Sequence, residues 1–187
     1  MRIDKETTVL GVIEFSGPAI GFAALDEMVK IAPIHVIDAR TFFGKYLIVF
    51  TGDVASVEYS FQKGLEIGEG CIVDRLLLPG VHSEVIEALG KIRDCDEWDS
   101  VAIIETQSVT SAIEAADIAA KTGGVSIIEI KLSDGFAGKS FMKMIGPVED
   151  VQAASDAAVS AVKAKHQLVS TIIIPQPHKE IKAFFLK

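Results

Sequence analysis

One segment of the sequence ends like a phosphate-binding loop, in which a glycine-rich turn followed by lysine and a hydroxyl residue holds a nucleotide. It reads Gly135-Phe136-Ala137-Gly138-Lys139-Ser140. A complete loop of this kind needs a glycine five positions before Gly138, where this sequence has Ser133. It also needs a helix whose amino terminus faces the phosphate, whereas residues 140–145 have the pattern of a strand. The sequence therefore favours a tight turn between two strands over a nucleotide site.

Two histidine–glutamate pairs offer the residue types of a metal or acid–base site. His82 and His178 each lie two residues before a glutamate, Glu84 and Glu180. Imidazole and carboxylate groups both bind metals and transfer protons. No third ligand or nucleophile recurs with either pair, and each pair opens a short predicted helix after a proline-containing turn. A capping or packing role is therefore expected for both histidines.

The remaining reactive residue types are few and scattered. Glu14 and Glu105 each follow an apolar stretch, and we expect them to be solvated or paired at strand ends. Cys71 is expected to act as a small hydrophobe in a buried strand, and Cys95, in an acidic linker, to be exposed. Two cysteines form neither a disulfide framework nor a CxxC metal knuckle. The sequence thus predicts a protein that is not an enzyme, with no catalytic residue, metal or cofactor.

The composition indicates a globular protein with a large aliphatic core. Of the 187 residues, 49% are hydrophobic but only 7% are aromatic, and the mean hydropathy is +0.38. Charged residues interrupt every apolar run before the roughly 18 residues that a membrane-spanning helix needs, so the excess apolar surface indicates subunit interfaces. The net charge of -8 argues against nucleic acid as a partner. Residues 1–6 are charged and residues 9–13 are too short for the core of a signal peptide. With no disulfide framework either, a reducing cytoplasm is the expected compartment.

The sequence contains two copies of one unit. The first matches lie at an offset of 91 positions, which grows to 94 and then to 96 at two predicted loops. The order of the matches never breaks, so we expect two domains, residues 1–92 and 93–187. The paired positions, first copy and then second, are Gly11 and Ala102, Asp26 and Asp117, Lys30 and Lys121, Ile37 and Ile128, Gly44 and Gly138, His82 and His178, and Glu84 and Glu180.

Each copy is predicted to have the order β-α-β-β-α-β followed by a short helix. Hydrophobic periodicity places the strands and helices, and the first helix of each copy begins where Pro18 and Ser108 favour a helix start. Two such units side by side give an α+β fold. The predicted strands are 9–15, 34–40, 46–51 and 72–78 in the first copy and 101–106, 125–131, 141–145 and 168–174 in the second; the other long helices are 54–67 and 148–165.

The repeated unit resembles the shell domain of bacterial microcompartments, and its duplication resembles the tandem-domain, trimer-forming class of shell proteins. The resemblance rests on the strand at 11–14, the helix pattern at 24–30, the run at 44–57 and the stretch Ile-Pro-Gln-Pro-His at 174–178. Within that class the sequence is most similar to the T-type shell proteins of propanediol-utilisation microcompartments, whose second pore loop is also glycine-rich before a Gly-Lys pair.

This resemblance implies a structural role in the bacterial cytoplasm. Three copies are expected to form a pseudohexagonal homotrimeric tile, which packs edge to edge into a shell around metabolic enzymes and has a central pore for metabolites. The implied partners are further copies of the chain, other shell proteins, the enclosed enzymes and small metabolites. Neither nucleic acid nor a membrane is expected.

The resemblance also assigns residues to the pore, which the family lines with the loop between the two central strands. If the rings of Phe42 and Phe43 reach the axis, the pore is narrow and hydrophobic, and Asp134 disfavours small anions. If the rings turn into each subunit, backbone at Gly44, Ser133 and Gly135 lines the pore instead. The positions carried over are Phe42, Phe43 and Gly44 in the first copy and Ser133, Asp134, Gly135 and Phe136 in the second.

At the tile edge the resemblance assigns Lys30 and Lys121, which match the family's edge lysine, and the sequence departs from the family at two sites. Some T-type members hold an iron–sulfur cluster through a cysteine two residues before the pore-loop glycine, where this sequence has Phe42. The family's Pro-Arg-Pro-His edge turn lacks its arginine in both copies, at 79–82 and 175–178.

Two other functions remain open: a shell protein that carries a redox or metal cofactor, and a soluble regulator that binds a small molecule between the repeats.

Overall fold

The computed structural model describes residues 9–133 and 135–187. The chain divides into two compact units, the first ending at Val81 and the second beginning at His82. Each unit contains one four-stranded antiparallel sheet with helices, which confirms the α+β fold and the duplication.

The first unit consists of four strands and two long helices. Its sheet has the order β2-β3-β1-β4, so β2 and β4 are the edge strands. Because the helix α2 and the strands β1 and β4 begin and end where the sequence predicted, hydrophobic periodicity was sufficient to locate them. The elements are β1 (Val9–Phe15), α1 (Pro18–Ile31), β2 (His35–Phe42), β3 (Lys45–Gly52), α2 (Val54–Ile67) and β4 (Ile72–Leu78).

The second unit repeats this architecture after a short helix. Its sheet has the order β6-β7-β5-β8, which is the order of the first sheet element for element. The elements are α3 (Ser83–Ala88), β5 (Ser100–Thr106), α4 (Val109–Thr122), β6 (Ser126–Ile130), β7 (Ser140–Gly146), α5 (Val148–Ala164), β8 (Leu168–Ile174), a 3₁₀ turn (Lys179–Ile181) and α6 (Lys182–Phe185).

The core of the first unit lies between its sheet and its two long helices. One face of the sheet supplies Ile13 and Phe50, and the helices supply Met28 and Val57, all fully buried. Gly11 faces the Phe50 ring so closely that a Cβ atom would lie 2.3 Å from it. A side chain at position 11 therefore cannot be accommodated while Phe50 fills the core, and the glycine in this strand is a packing requirement.

The helix boundaries follow from their capping residues, as predicted. Pro18 occupies the first turn of α1, and the Ser108 hydroxyl at the start of α4 accepts a hydrogen bond from the Ser111 N–H at 3.0 Å. At the other end of α4, Gly123 has a φ of 93°, which is a left-handed conformation that favours glycine.

Asp53 caps α2, and this cap makes the stability of the first unit sensitive to acid. The Ser56 hydroxyl and the Ser56 N–H donate to its two carboxylate oxygens, at 2.6 and 2.9 Å, and these hydrogen bonds lower the pKa of Asp53 below its usual 3.8. The contribution is therefore complete above that unfolded-state pKa and is lost as pH falls through the folded-state value. Asp53→Asn keeps an acceptor for the cap, so we expect its melting temperature to fall less than that of the wild type in an acid titration followed by circular dichroism. An equal fall in both proteins would contradict this role.

The segment between the repeats is not the exposed linker that its acidic composition suggested. Cys95 is half-buried, so the expectation that it is exposed was wrong. It packs with Ile92 and Trp98 against the core of the second unit, because these two apolar side chains flank it and draw the segment onto the sheet. The Trp98 ring lies edge-on to Phe185, with ring centroids 5.8 Å apart.

The short helix α3 is the last element of the first repeat in the sequence but packs within the second unit. It contacts β6 and α4, and its Val85 and Ala88 are fully buried. Beyond it, Leu89 forms a bridge with Ile130 of β6. Packing thus divides the chain between residues 81 and 82, whereas the repeat in the sequence suggested a boundary between 92 and 93.

Candidate functional site

The first predicted pore loop is the two-residue turn between β2 and β3. The last pair of the ladder joins Phe42 with Lys45, and the two residues between them have positive φ, 42° at Phe43 and 79° at Gly44. Two successive positive φ angles are typical of the mirror-image turns that match the twist of a hairpin. Gly44 adopts this conformation without strain, whereas Phe43 does so at a steric cost.

The two phenylalanines of this turn have opposite environments. Phe42 is only 6% exposed, and the Lys45 ammonium lies 5.8 Å from its ring centroid. Phe43 is 76% exposed. The ring of Phe42, the last residue of β2, is therefore buried, while the turn presents the ring of Phe43 to solvent.

The second predicted pore loop, between β6 and β7, is longer and more closely folded. Ser133 is 3% exposed, and its Oγ is buried without a hydrogen-bond partner among the described residues. Gly135 is exposed with a φ of 73°, while the half-buried Phe136 ring packs edge-on against Phe141 at 5.7 Å. The remaining predicted pore residue, Asp134, lies outside the described residues.

The same segment does not form a phosphate-binding loop. Ser140 begins the strand β7 and not a helix, and its hydroxyl donates to the Lys131 carbonyl across the base of the loop. No helix amino terminus therefore follows the Gly-Lys-Ser sequence, and the prediction of a turn between two strands is confirmed.

The two predicted edge lysines lie in the last turns of corresponding helices. Lys30 on α1 pairs with Asp26 and with Glu27, the latter at 3.2 Å. Lys121 on α4 pairs with Asp117 at 2.6 Å. The hydrogen bonds with Asp26 and then Glu27 raise the pKa of Lys30. Both lysine side chains are largely at the surface, 59% and 44% exposed.

Both histidine–glutamate pairs are local caps, as predicted. The Nδ1 atoms of His82 and His178 accept hydrogen bonds from the backbone N–H groups of Glu84 and Glu180, each at 3.4 Å. The residues that the structure describes include no group of three or more His, Cys, Asp or Glu side chains placed to hold a metal.

Glu14 is more buried than the sequence suggested. Its side chain is fully buried on β1, with Lys45 Nζ 3.7 Å from Oε2. The expectation of pairing at a strand end is confirmed and that of solvation is not, because the side chain lies on a strand that is buried along its whole length. Glu105, at the corresponding place in β5, is half-buried, and Cys71, expected to be buried before β4, is also half-buried.

A buried ion pair in the second sheet was missed by sequence reasoning. Lys143 Nζ lies 2.7 Å from Glu129 Oε2, and the two side chains are 10% and 7% exposed. The same ammonium donates to the Phe185 carbonyl at 2.9 Å, which joins the end of the chain to the sheet. A single charge in each of two otherwise apolar strands, β6 and β7, was the signal that could have revealed this pair.

None of the helices that the structure describes is both long and apolar enough to cross a membrane.

Comparison with known proteins supports the resemblance over both repeats. A family model of the BMC domain matches residues 9–81 and, a second time, residues 100–177. The bacterial microcompartment shell protein PduT of Citrobacter freundii is 33% identical over 173 residues, which cover 92% of this chain and 94% of that protein.

Solved structures show the same similarity in three dimensions. A microcompartments protein from Desulfitobacterium hafniense DCB superposes with a TM-score of 0.85 at 35% identity, covering 94% of this chain and 98% of that one. The fused permuted hexameric shell protein from the RMM microcompartment superposes with a TM-score of 0.68 over 89% of each chain. At 18% identity the latter shows the fold alone.

Proposed function

Because the chain belongs to the BMC domain family and is a shell protein of a bacterial microcompartment, we propose that three copies form a pseudohexagonal tile with a central pore. The family is structural and not catalytic, and its members assemble with other shell proteins in the wall of a compartment in the bacterial cytoplasm. Each chain supplies two units of the same strand order, so three chains supply the six lobes of a closed ring.

Exposed apolar side chains on the first unit support assembly. On α1, Phe22, Val29 and Ile31 are 59%, 46% and 50% exposed. Three large apolar side chains on one helix are costly in water unless a partner covers them. We expect part of this surface to be buried between copies in the trimer.

The pore is lined by two loops of each chain, the one between β2 and β3 and the one between β6 and β7. Phe43 supports this placement because a bulky exposed side chain in a left-handed turn stabilises nothing within its own unit, and such strain concentrates at functional positions. Three Phe43 rings, one from each copy, make a hydrophobic constriction. Phe42 contributes its backbone, since its ring is buried in the chain.

The second loop supplies mainly polar backbone to the same pore. The Phe136 ring is packed against Phe141, so this loop presents Gly135 and the neighbouring main-chain groups, with Ser133 beneath them. The pore therefore alternates hydrophobic and polar segments with three-fold symmetry.

Replacing Phe43 with asparagine is expected to stabilise the chain and widen the pore. Asparagine adopts positive φ more readily than phenylalanine, so the free energy of unfolding should rise by about 1 kcal/mol. Urea unfolding measures this gain, and cryo-electron microscopy of the trimer measures the constriction. Phe43→Ala is the matched control, since it removes the ring but keeps a residue that resists this conformation. An equal gain in stability from alanine would show that backbone strain is not the cause.

Neither alternative function is supported. An iron–sulfur cluster on the three-fold axis needs thiolate ligands, and the position that carries the cysteine in some relatives is the buried Phe42. A soluble small-molecule regulator is not supported by relatives that are shell proteins over nearly the whole chain.

The tile is tested by the mass and the assembly of the purified protein. Light scattering should give three times the chain mass of 20.0 kDa, and electron microscopy of concentrated samples should show sheets with a hexagonal lattice. A monomer, or a trimer that forms no lattice alone or with single-domain shell proteins, would contradict the proposal.

A further inference from the structure

Within one chain, the last segment of the first repeat, which begins at His82, docks on the second unit through two specific hydrogen bonds. The His82 N–H donates to Asp117 Oδ1 on α4 at 2.9 Å. Two residues later, Glu84 Oε2 accepts from the Ile127 N–H on the edge strand β6 at 2.8 Å. The carboxylate of Glu84 thus satisfies a backbone donor that an edge strand would otherwise present to solvent.

The last segment of the second repeat, which begins at His178, has the same local structure but a different environment. His178 caps its turn as His82 does, with matching backbone angles. At an offset of 96, Ile181 and Phe184 correspond to Val85 and Ala88. The latter two are fully buried, whereas Ile181 and Phe184 are 37% and 74% exposed. The last segment of the chain therefore has an apolar face that corresponds to the docking face of α3. Its side chains are larger than those of α3, and they are exposed.

A receiving surface for this segment exists on the first unit. At an offset of 91, Asp26 on α1 and Val36 on β2 correspond to the two residues that receive the docked segment in the second unit. The Asp26 side chain is 60% exposed, against 4% for Asp117. Like β6, β2 is the edge strand of its sheet, and both ladders shift register directly after the corresponding residues, Val36 and Ile127.

The apolar part of the receiving surface shows the same contrast. Phe22 and Val29 on α1 are 59% and 46% exposed, whereas the corresponding Ile113 and Ala120 on α4 are 0% and 7% exposed. The surface on α4 and β6 is thus covered by α3 within the chain. The corresponding surface on α1 and β2 is left open, and the segment that would match it, from His178 onwards, lies at the other end of the sequence.

We propose, building on the trimeric tile, that residues 178–185 of one copy dock on α1 and β2 of the next copy. The His178 N–H donates to Asp26 Oδ1, as the His82 N–H does to Asp117 Oδ1 within the chain. Glu180 accepts from the Val36 N–H, and Phe184 packs on the exposed side of α1. The Asp26 side chain is 60% exposed, so its Oδ1 is accessible to a neighbouring copy while Lys30 Nζ pairs with its Oδ2.

This contact is head-to-tail, which determines the size of the assembly. The end of each chain binds the beginning of the next, so the surfaces in contact differ and the assembly grows until it closes on itself. Since each chain supplies two units, a ring of six units closes after three chains.

Cross-linking tests the assignment residue by residue. In a Cys71→Ser/Cys95→Ser background, Asp26→Cys with His178→Cys should react with a short bismaleimide to give covalent dimers and trimers on a denaturing gel, with trimer as the largest species. The matched pair Asp117→Cys with His82→Cys should react within one chain and migrate as a monomer.

Disruption of the apolar contact is an independent test. Phe184→Glu should raise the concentration at which the trimer dissociates about a hundredfold, as expected for loss of a central aromatic contact. Phe184 is 74% exposed in the chain, so the melting temperature of the monomer should not change. Tyr59→Glu is the control, because Tyr59 is 66% exposed on α2, outside the proposed contact.

The outcomes separate this inference from the tile itself. A wild-type trimer with no interchain cross-link at positions 26 and 178, or one that Phe184→Glu leaves intact, would overturn the docking assignment while the tile stands. A wild-type protein that is monomeric throughout would overturn the tile.

Discussion

Alanine at both Lys30 and Lys121 is expected to abolish the assembly of tiles into sheets while leaving the trimer intact. The Asp117 side chain is 4% exposed, yet Lys121 one turn further along remains 44% exposed. Lys121 therefore remains exposed although most of the residues of its helix are buried. Its long stem can lie along a neighbouring tile while the ammonium binds carbonyl groups there.

Electron microscopy and light scattering together measure this effect. The control is Lys63→Ala with Lys165→Ala, which removes two other lysines that pair with glutamates, Glu66 and Glu114. The control should form sheets as the wild type does. Monomers of the Lys30 and Lys121 variant would place these lysines in the trimer interface, and normal sheets would remove them from the tile edge.

Lys143→Ala is expected to lower the free energy of unfolding by about 3–5 kcal/mol, because it leaves the Glu129 carboxylate buried without its counter-charge. The substitution also leaves the Phe185 carbonyl without the hydrogen bond that the Lys143 ammonium donates to it. In the wild type the Lys143 ammonium lies 5.4 and 5.3 Å from the ring centroids of Phe141 and Phe185. The cavity that alanine leaves at this position is therefore bordered by two aromatic side chains. Few single substitutions in this protein should cost more.

Urea unfolding of a small variant series measures the effect and its cause. Glu129→Leu with Lys143→Met removes both charges and fills the space, and we expect it to recover most of the lost stability, because apolar residues of similar volume often replace a buried ion pair without penalty. Failure of the double variant to recover would mean that the hydrogen bond to Phe185, and not the charge on Glu129, accounts for the loss.

Local patterns were sufficient for the elements of the fold. The helix at Val54–Ile67 and the strands at Val9–Phe15 and Ile72–Leu78 have the predicted bounds, because a helical apolar period and a short apolar run are both properties of a short stretch of sequence. The two-fold repeat was visible for the same reason, since each match needs only residues at a constant offset. The start of α1 at Pro18 depends on backbone geometry that a proline imposes by itself.

Burial, in contrast, was decided by what packs against a residue from elsewhere in the chain. The sequence does not distinguish Phe42 from Phe43, because which ring turns inward depends on the geometry of the turn and on Lys45 beneath it. Cys95 was misjudged because its neighbours in the sequence are acidic, whereas its neighbours in space are Ile92 and Trp98.

Asp26 and Asp117 show this division most directly. They are the same residue at equivalent positions of two copies, each paired with a lysine four residues later, and everything that the sequence determines about them is shared. Their side chains are nevertheless 60% and 4% exposed, because the His82 N–H reaches Asp117 from the docked segment and nothing in the described part of the chain covers Asp26. Local sequence determines a helix and its cap, while exposure depends on surfaces that meet only when distant segments pack together.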